Sequence, residues 1–67
     1  MLTNLIKEMA GAKITNEMLA ADLKVHRNTI TNRLSGIGKF SIEDGILIQN
    51  KYFPNLGLAF LFEDDGV

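Results

Sequence analysis

Residues 16–36 decide the fold, and they read N-E-M-L-A-A-D-L-K-V-H-R-N-T-I-T-N-R-L-S-G. The first part predicts a helix capped by Thr15 or Asn16, because short polar side chains accept hydrogen bonds from the free N–H groups of a first helical turn. The apolar stripe of this helix is predicted to consist of Met18, Leu19 and Leu23. Lys24 and Val25 interrupt the helical pattern, so we expect a tight turn there.

A second helix is predicted to begin at His26 or Arg27 and to end at Gly36, a residue suited to a left-handed C-terminal position. Ile30 and Leu34 are four residues apart and therefore share one face of this helix. The opposite face carries the amide and hydroxyl groups of Asn28, Thr31 and Asn32. Two short helices joined by a tight turn are typical of a helix-turn-helix, whose second helix enters the major groove of DNA and reads base edges.

One further short helix is predicted on each side of this unit. One begins at Thr3 or Asn4 and ends at Gly11. The other is capped by Ser41 and stops before Pro54, because proline has no N–H to continue a helix. The inward face of this second helix is expected to consist of Ile42, Ile46 and Leu47, with Phe53 as a further candidate.

The C-terminal part of the chain predicts one more helix, over residues 56–62 with Asn55 as its cap. The acidic tail, residues 63–67, is expected to be solvated and frayed. The chain therefore reads as a single all-α domain, residues 1–67, built as a compact bundle of about five short helices. The helix-turn-helix occupies residues 16–35 of this bundle.

The composition excludes several classes of function. The chain has 67 residues, no cysteine and one histidine, His26. Disulfides, thiolate metal sites and multi-histidine metal sites are therefore excluded. A chain this short leaves no room for the cleft that most enzyme folds need, and no nucleophile stands at suggestive spacing from His26. We expect no enzyme, no catalytic residue, no metal, no cofactor and no small-molecule substrate.

Nothing in the sequence indicates a membrane or an export signal. The longest apolar run, residues 58–62, is far shorter than the roughly 18 residues that span a bilayer. Near the start of the chain, Lys7 and Glu8 interrupt the apolar run that a secretory signal requires. We therefore expect a cytoplasmic protein without membrane contact.

The formal net charge of −1 hides an uneven distribution of charge. Residues 23–42 contain no acidic side chain but four basic ones, which are Lys24, Arg27, Arg33 and Lys39. Residues 43–67 carry one lysine against five acids. This basic island, residues 23–42, can bind a polyanion although the whole chain is acidic. Charge alone is equally compatible with a solvated face that lacks acids.

The run I-T-N-E-M-L-A-A-D-L-K-V-H-R-N-T-I-T-N-R-L-S-G resembles the helix-turn-helix of the Cro/cI-type (xenobiotic-response-element) DNA-binding family. It is most similar to the short forms encoded by phages and prophages of Gram-positive bacteria. The resemblance extends into F-S-I-E-D-G-I-L-I-Q-N-K-Y-F-P and L-A-F-L-F-E, and so covers nearly the whole chain. It implies a lambda-repressor-like fold.

Two positions depart from the family pattern. Lys24 stands where the family usually has glycine at the start of the turn, so a lysine must adopt a left-handed conformation there. His26 stands where the family often has serine or threonine as the cap of the recognition helix. Histidine caps less well, but it can instead contact a phosphate or a base.

The resemblance also implies roles for particular residues. Base or near-base contacts are assigned to the start of the recognition helix and to the next turn, which comprise His26, Arg27, Asn28, Thr31 and Asn32. Phosphate contacts are assigned to Asn16, Arg33 and Lys39. Thr31 can serve either role. A helix N-terminus, such as the one opened by Asn16, suits an anion.

The last predicted helix is more apolar than one buried face needs. Its large side chains can simply close the core, or one side can be left for a second subunit. We expect a homodimer whose interface includes Leu58, Phe60, Leu61 and Phe62. A two-fold dimer would present its recognition helices about 34–36 Å apart on an inverted-repeat operator. The resemblance also implies a dimer.

Two functions follow as expectations. The first is a small transcriptional regulator that binds double-stranded DNA at a specific sequence, as a phage or prophage Cro-like repressor that occupies an operator. The second is a protein-interaction module of the same fold that does not read DNA, such as an antirepressor or an antitoxin-like partner. The acidic total charge favours the second slightly, whereas the acid-free basic island favours the first more.

Overall fold

Five helices form along the chain in the order that caps and apolar periodicity predict. The computed structural model describes residues 1–65. Its helices are α1 (Thr3–Ala12), α2 (Asn16–Leu23), α3 (Arg27–Ser35), α4 (Ile42–Tyr52) and α5 (Leu58–Leu61). No strand occurs within these 65 residues. The prediction of an all-α bundle of about five short helices is confirmed. No helix in the described part of the chain is long and apolar enough to cross a membrane.

Three of the predicted N-terminal caps are confirmed. The Thr15 hydroxyl accepts a hydrogen bond from the N–H of Met18 at 3.1 Å, and Ser41 accepts one from Asp44 at 3.0 Å. His26 caps α3 through its ring nitrogen Nδ1, which accepts from the N–H of Asn28 at 3.0 Å. Local hydrogen bonding by short polar groups therefore sets the starts of α2, α3 and α4.

The bounds of the outer helices differ from the prediction. Leu2, not Thr3 or Asn4, holds the cap position of α1, and no side chain caps this helix. The helix continues past Gly11 to Ala12, and Lys13 ends it in the left-handed conformation (φ 59°). The N–H of the next residue, Ile14, bonds back to the carbonyl of Met9 at 2.9 Å. The predicted stop at Gly11 is therefore wrong, because a lysine takes the role usually given to glycine.

Helix α5 is also shorter than predicted. It spans four residues, and its cap position is occupied by Gly57 instead of Asn55. Lys24 ends α2 with φ 58°, as the departure from the family pattern predicts. Only α3 ends on a left-handed glycine, Gly36.

The core lies between α1, α2 and α3, and is closed by α4 and α5. Its buried apolar residues are Leu2, Leu5, Met9, Leu19, Ala20, Ile30, Leu34, Ile48, Phe53 and Leu61. The predicted inward positions Leu19, Ile30 and Leu34 are confirmed, and they pack α3 against its neighbours. Met18, which was predicted for the apolar stripe of α2, is instead 40% exposed, and its sulfur accepts the N–H of Thr15 at the start of α2.

The inward face of α4 is not the predicted one. Ile42, Ile46 and Leu47 are exposed, whereas Gly45 and Ile48 are buried. A Cβ atom added to Gly45 would lie 3.4 Å from Cε2 of Phe62 and 3.7 Å from Cδ1 of Leu58. The missing side chain lets the last helix approach α4 closely, and this approach turns the opposite face of α4 outward. Phe53, the further candidate, is buried as predicted.

The described part of the acidic tail is attached to the start of α1, so the prediction of a frayed tail is wrong for residues 63–65. Asp64 Oδ1 lies 2.7 Å from the amino nitrogen of Met1, and the hydroxyl of Thr3 donates to Asp65 at 2.8 Å. Asn4 donates to Glu63 at 3.1 Å. Acidic groups complement the positive end of a helix that has no cap of its own. Residues 66–67 of the predicted tail lie outside the described residues.

A polar cluster joins the C-terminal ends of α2 and α4. Lys51 Nζ lies 2.6 Å from Asp22 Oδ1, and the Tyr52 hydroxyl donates to Asp22 Oδ2. The hydrogen bond from Lys51 is the main reason that the pKa of Asp22 is lowered, and the hydrogen bond from Tyr52 lowers it further. Conversely, the Asp22 carboxylate raises the pKa of Lys51 and of Tyr52. In its ionised form, the cluster therefore stabilises the contact between α4 and α2.

We expect this cluster to make stability depend on acid. Because the pKa of Asp22 is lowered on folding, its contribution is present above the ordinary aspartate range, about 4, and is lost as the pH falls through the lowered value. Urea unfolding between pH 2 and 7 should therefore show a steeper acid decline in the wild type than in Asp22→Asn. The raised pKa values of Lys51 and Tyr52 place the loss of their contributions above about pH 10. Equal acid slopes in the two proteins would contradict this assignment.

Candidate nucleic-acid interface

The five residues predicted to touch bases lie together at the N-terminal half of α3. His26, Arg27, Asn28, Thr31 and Asn32 are all exposed. Ile30 and Leu34 on the other side of the helix are buried. A helix with a buried aliphatic seam and an exposed amide face can enter a major groove without disturbing the core.

The ring of His26 can cap α3 with one nitrogen and make an outward hydrogen bond with the other. Its Nδ1 accepts the N–H of Asn28, so in the neutral ring the proton lies on Nε2. Nε2 is then a hydrogen-bond donor on an exposed side chain at the start of α3. The cap and an outward hydrogen bond are therefore compatible in one ring.

We expect the cap to be measurable by substitution. His26→Ala should lower the free energy of unfolding by about 0.5–2 kcal/mol, because it leaves the N–H of Asn28 without its acceptor. His26→Asp should keep most of the stability, since aspartate is a strong N-cap. Urea unfolding of the three proteins at pH 7 measures the differences. If alanine and aspartate give the same stability, the ring does not act as a cap.

A short chain of hydrogen bonds links the starts of α2 and α3. The amide of Asn16 donates to the Thr31 hydroxyl at 3.1 Å, and this hydroxyl donates to the carbonyl of Arg27 at 3.2 Å. The only hydroxyl proton of Thr31 is therefore used within the protein. Thr31 can still offer its methyl group or a lone pair to a base. Asn16, predicted to touch a phosphate, also positions α3 on α2.

An acidic side chain that the sequence analysis did not single out lies at the edge of this face. Glu17 Oε1 is 3.5 Å from Nη1 of Arg27, and both side chains are well exposed. An exposed pair at this distance contributes little to stability. It does hold a negative charge beside the predicted base-reading arginine. Only the crossing of α2 and α3 brings the two together, so sequence spacing does not reveal the pair.

Arg33 points away from the exposed amide face. Its Nη1 lies 3.5 Å from Asp44 of α4, and the guanidinium stacks over the ring of Phe40 at 5.8 Å from the centroid. The side chain is half-buried in this arrangement. The phosphate contact predicted for Arg33 would require these interactions to open. Lys39, the other predicted phosphate contact after the helix, is exposed in the loop that precedes α4.

The residues predicted for a dimer interface differ in exposure. Leu61 is fully buried in the core, so its predicted role at the interface is wrong. Leu58 and Phe62 are half-buried and pack near Gly45, and Phe60 is exposed. The longer stretch of exposed aliphatic surface lies instead on α4.

No protein family, characterised protein or solved structure matches this chain. The resemblance to the Cro/cI-type family therefore stays a prediction from the sequence.

Proposed function

We propose that the chain is a sequence-specific double-stranded DNA-binding protein that acts as a small transcriptional regulator in the cytoplasm. The form that fits best is a Cro-like repressor of a phage or prophage, which blocks a promoter by occupying its operator. The observation that carries the proposal is the exposed amide face of α3, which Ile30 and Leu34 anchor to the core from behind.

The side chains on this face have the chemistry that base reading requires. Asparagine can bond to adenine through both groups of its amide, which suits Asn28 and Asn32. Arg27 can bond to guanine in the same bidentate way. Contacts to phosphates, from Asn16 and Lys39, would set the position of the helix on the duplex without reading sequence.

The basic island, residues 23–42, has the sign of charge that a polyanionic ligand such as DNA requires. The acids of residues 63–65 are engaged at the start of α1. These contacts hold the tail in a defined place, and there Asp64 lines the same cavity as Arg33 and Lys39 of the basic island. A polyanion approaching α3 meets the basic island with two acidic neighbours, Glu17 beside Arg27 and Asp44 beside Arg33.

A homodimer completes the proposal, because two copies related by a two-fold axis would read both halves of an inverted repeat. The alternative is a protein-interaction module of the same fold. The exposed aliphatic residues of α4 favour that alternative, since surfaces of this kind bind protein partners. The same residues are also compatible with a regulator that forms a homodimer.

The proposal is tested by the salt dependence of binding to a generic duplex. Lys39→Ala should weaken binding to all sequences alike and reduce the slope of log K against log salt by about one, because one phosphate contact is lost. Lys7→Ala is the matched control, since Lys7 is an exposed lysine on α1 and should leave the slope unchanged. Fluorescence anisotropy over a salt series measures both. No binding at low salt, or equal slopes for the two variants, would contradict the proposed face.

A further inference from the structure

The outer face of α4 carries three exposed aliphatic side chains. We define this face as Ile42, Glu43, Ile46, Leu47 and Asn50, all of which are exposed. The exposed fractions of Ile42, Ile46 and Leu47 are 77%, 41% and 39%. The opposite side of the same helix carries its buried residues, Gly45 and Ile48. None of these three aliphatic side chains is needed to close the core.

The outer face has a pattern that is complementary to itself. Its centre, Ile46 and Leu47, is aliphatic, and Glu43 precedes this centre by about one turn. Asn50 follows the centre by about one turn, and next to it is Lys51, which is paired with Asp22 but whose side chain remains 53% exposed. When two copies of such a helix lie antiparallel, the acidic end of each meets the amide and ammonium groups of the other. The opposed helix dipoles add to this complementarity.

We propose that a second copy of this chain binds the outer face of α4, with the two α4 helices antiparallel about a two-fold axis between Ile46 and Leu47. Ile46 of each copy then packs on Leu47 of the other. Glu43 faces Asn50 and Lys51 of the second copy. This inference names the contact that would form the dimer. It rests on the proposed function, which requires the protein to be dimeric.

The neighbouring cavity is somewhat smaller than the pockets that usually hold drug-sized ligands. It has a volume of about 240 Å³ and lies between the first turn of α4 and the last helix. Its lining includes apolar residues, among them Ile42, Leu58 and Phe62, and the charged residues Arg33, Lys39 and Asp64. Pockets that hold drug-sized ligands are generally about 300–1,000 Å³. A cavity of this size at the edge of the outer face can instead receive one side chain of the second copy.

The test is sedimentation equilibrium of the full chain without DNA, from micromolar to near-millimolar concentration. The wild type should form a dimer. Leu47→Glu, which sets a charge against Ile46 of the second copy, and Glu43→Lys, which opposes Lys51, should each raise the dimer Kd about tenfold or more. Phe60→Ser is the control, because Phe60 is exposed on α5 outside this face and should change the Kd less than twofold.

Circular dichroism and thermal unfolding verify that each variant is folded. If Leu47→Glu does not fold, Glu43→Lys alone tests the dimer contact. A wild type that stays monomeric at every concentration would overturn the inference. So would a dimer that both α4 variants leave intact, or one that Phe60→Ser dissociates instead. Because no DNA is present, these outcomes are independent of whether the protein binds an operator.

Discussion

Asn28→Ala and Asn32→Ala should each weaken binding to the specific duplex by about 1–3 kcal/mol, because each removes one bidentate contact to a base. Both side chains are exposed on α3, so neither change removes packing. The affinity for a scrambled duplex should change much less, since that affinity depends on phosphate contacts. Anisotropy titrations at one salt concentration measure the difference. They compare the duplex that the protein selects from a random pool with a scrambled version of it.

The matched control for these variants is Asn55→Ala, an exposed asparagine in the segment between α4 and α5. It should leave binding to both duplexes unchanged. Urea unfolding should give the same stability for the Asn28 and Asn32 variants as for the wild type, within about 0.5 kcal/mol. Equal losses of affinity for the specific and scrambled duplexes would show that the two asparagines do not read bases.

Ile48→Ala should lower the free energy of unfolding by about 2–5 kcal/mol, because it removes a fully buried side chain and leaves a cavity. A 67-residue domain has a total stability of about 3–10 kcal/mol, so this single change should leave the protein marginal. Ile42→Ala is the matched control, as the same substitution on the same helix at a largely exposed position. It should change stability by less than about 0.5 kcal/mol.

Urea denaturation at low micromolar concentration measures both isoleucine variants without interference from association. A large loss in Ile42→Ala and a small one in Ile48→Ala would mean that α4 presents the opposite face to the core. That is the orientation the sequence alone predicts. The pair of variants therefore distinguishes the predicted face of α4 from the observed one.

Helices α2 and α3 and the turn between them could be predicted from the sequence, because local interactions determine them. The side chains of Thr15 and His26 cap the two helices, and Ile30 and Leu34 recur at helical spacing. Each of these features is a relation between residues close in the chain. Their local preferences agree with the packing that the structure shows.

The face of α4 could not be predicted, because aliphatic residues occur on several sides of this helix. Periodicity alone does not show whether the side of α4 with Ile42 or the side with Ile48 faces the core. The choice depends on Gly45, which admits Leu58 and Phe62 from the end of the chain. A glycine that appears only to weaken a helix is here the point of closest approach between two helices.

The sequence predicted which residues lie on the candidate site, but it did not predict the contacts that these residues make with other helices. The exposure of the amide face of α3 follows from the positions of its buried isoleucine and leucine. The contacts of Asn16 with Thr31, of Glu17 with Arg27 and of Arg33 with Asp44 join different helices. Such contacts depend on crossing angles, which spacing along the chain does not specify.

Selection from a random pool of DNA duplexes at moderate salt, followed by sequencing, tests the central claim most directly. Folded wild-type protein should enrich an inverted repeat whose half-sites are about one helical turn apart, roughly 34–36 Å. That result would establish base reading by a dimer and supply the operator needed for the asparagine variants. A pool that stays without a consensus, from protein shown to be folded, would contradict the proposed function and favour a protein partner.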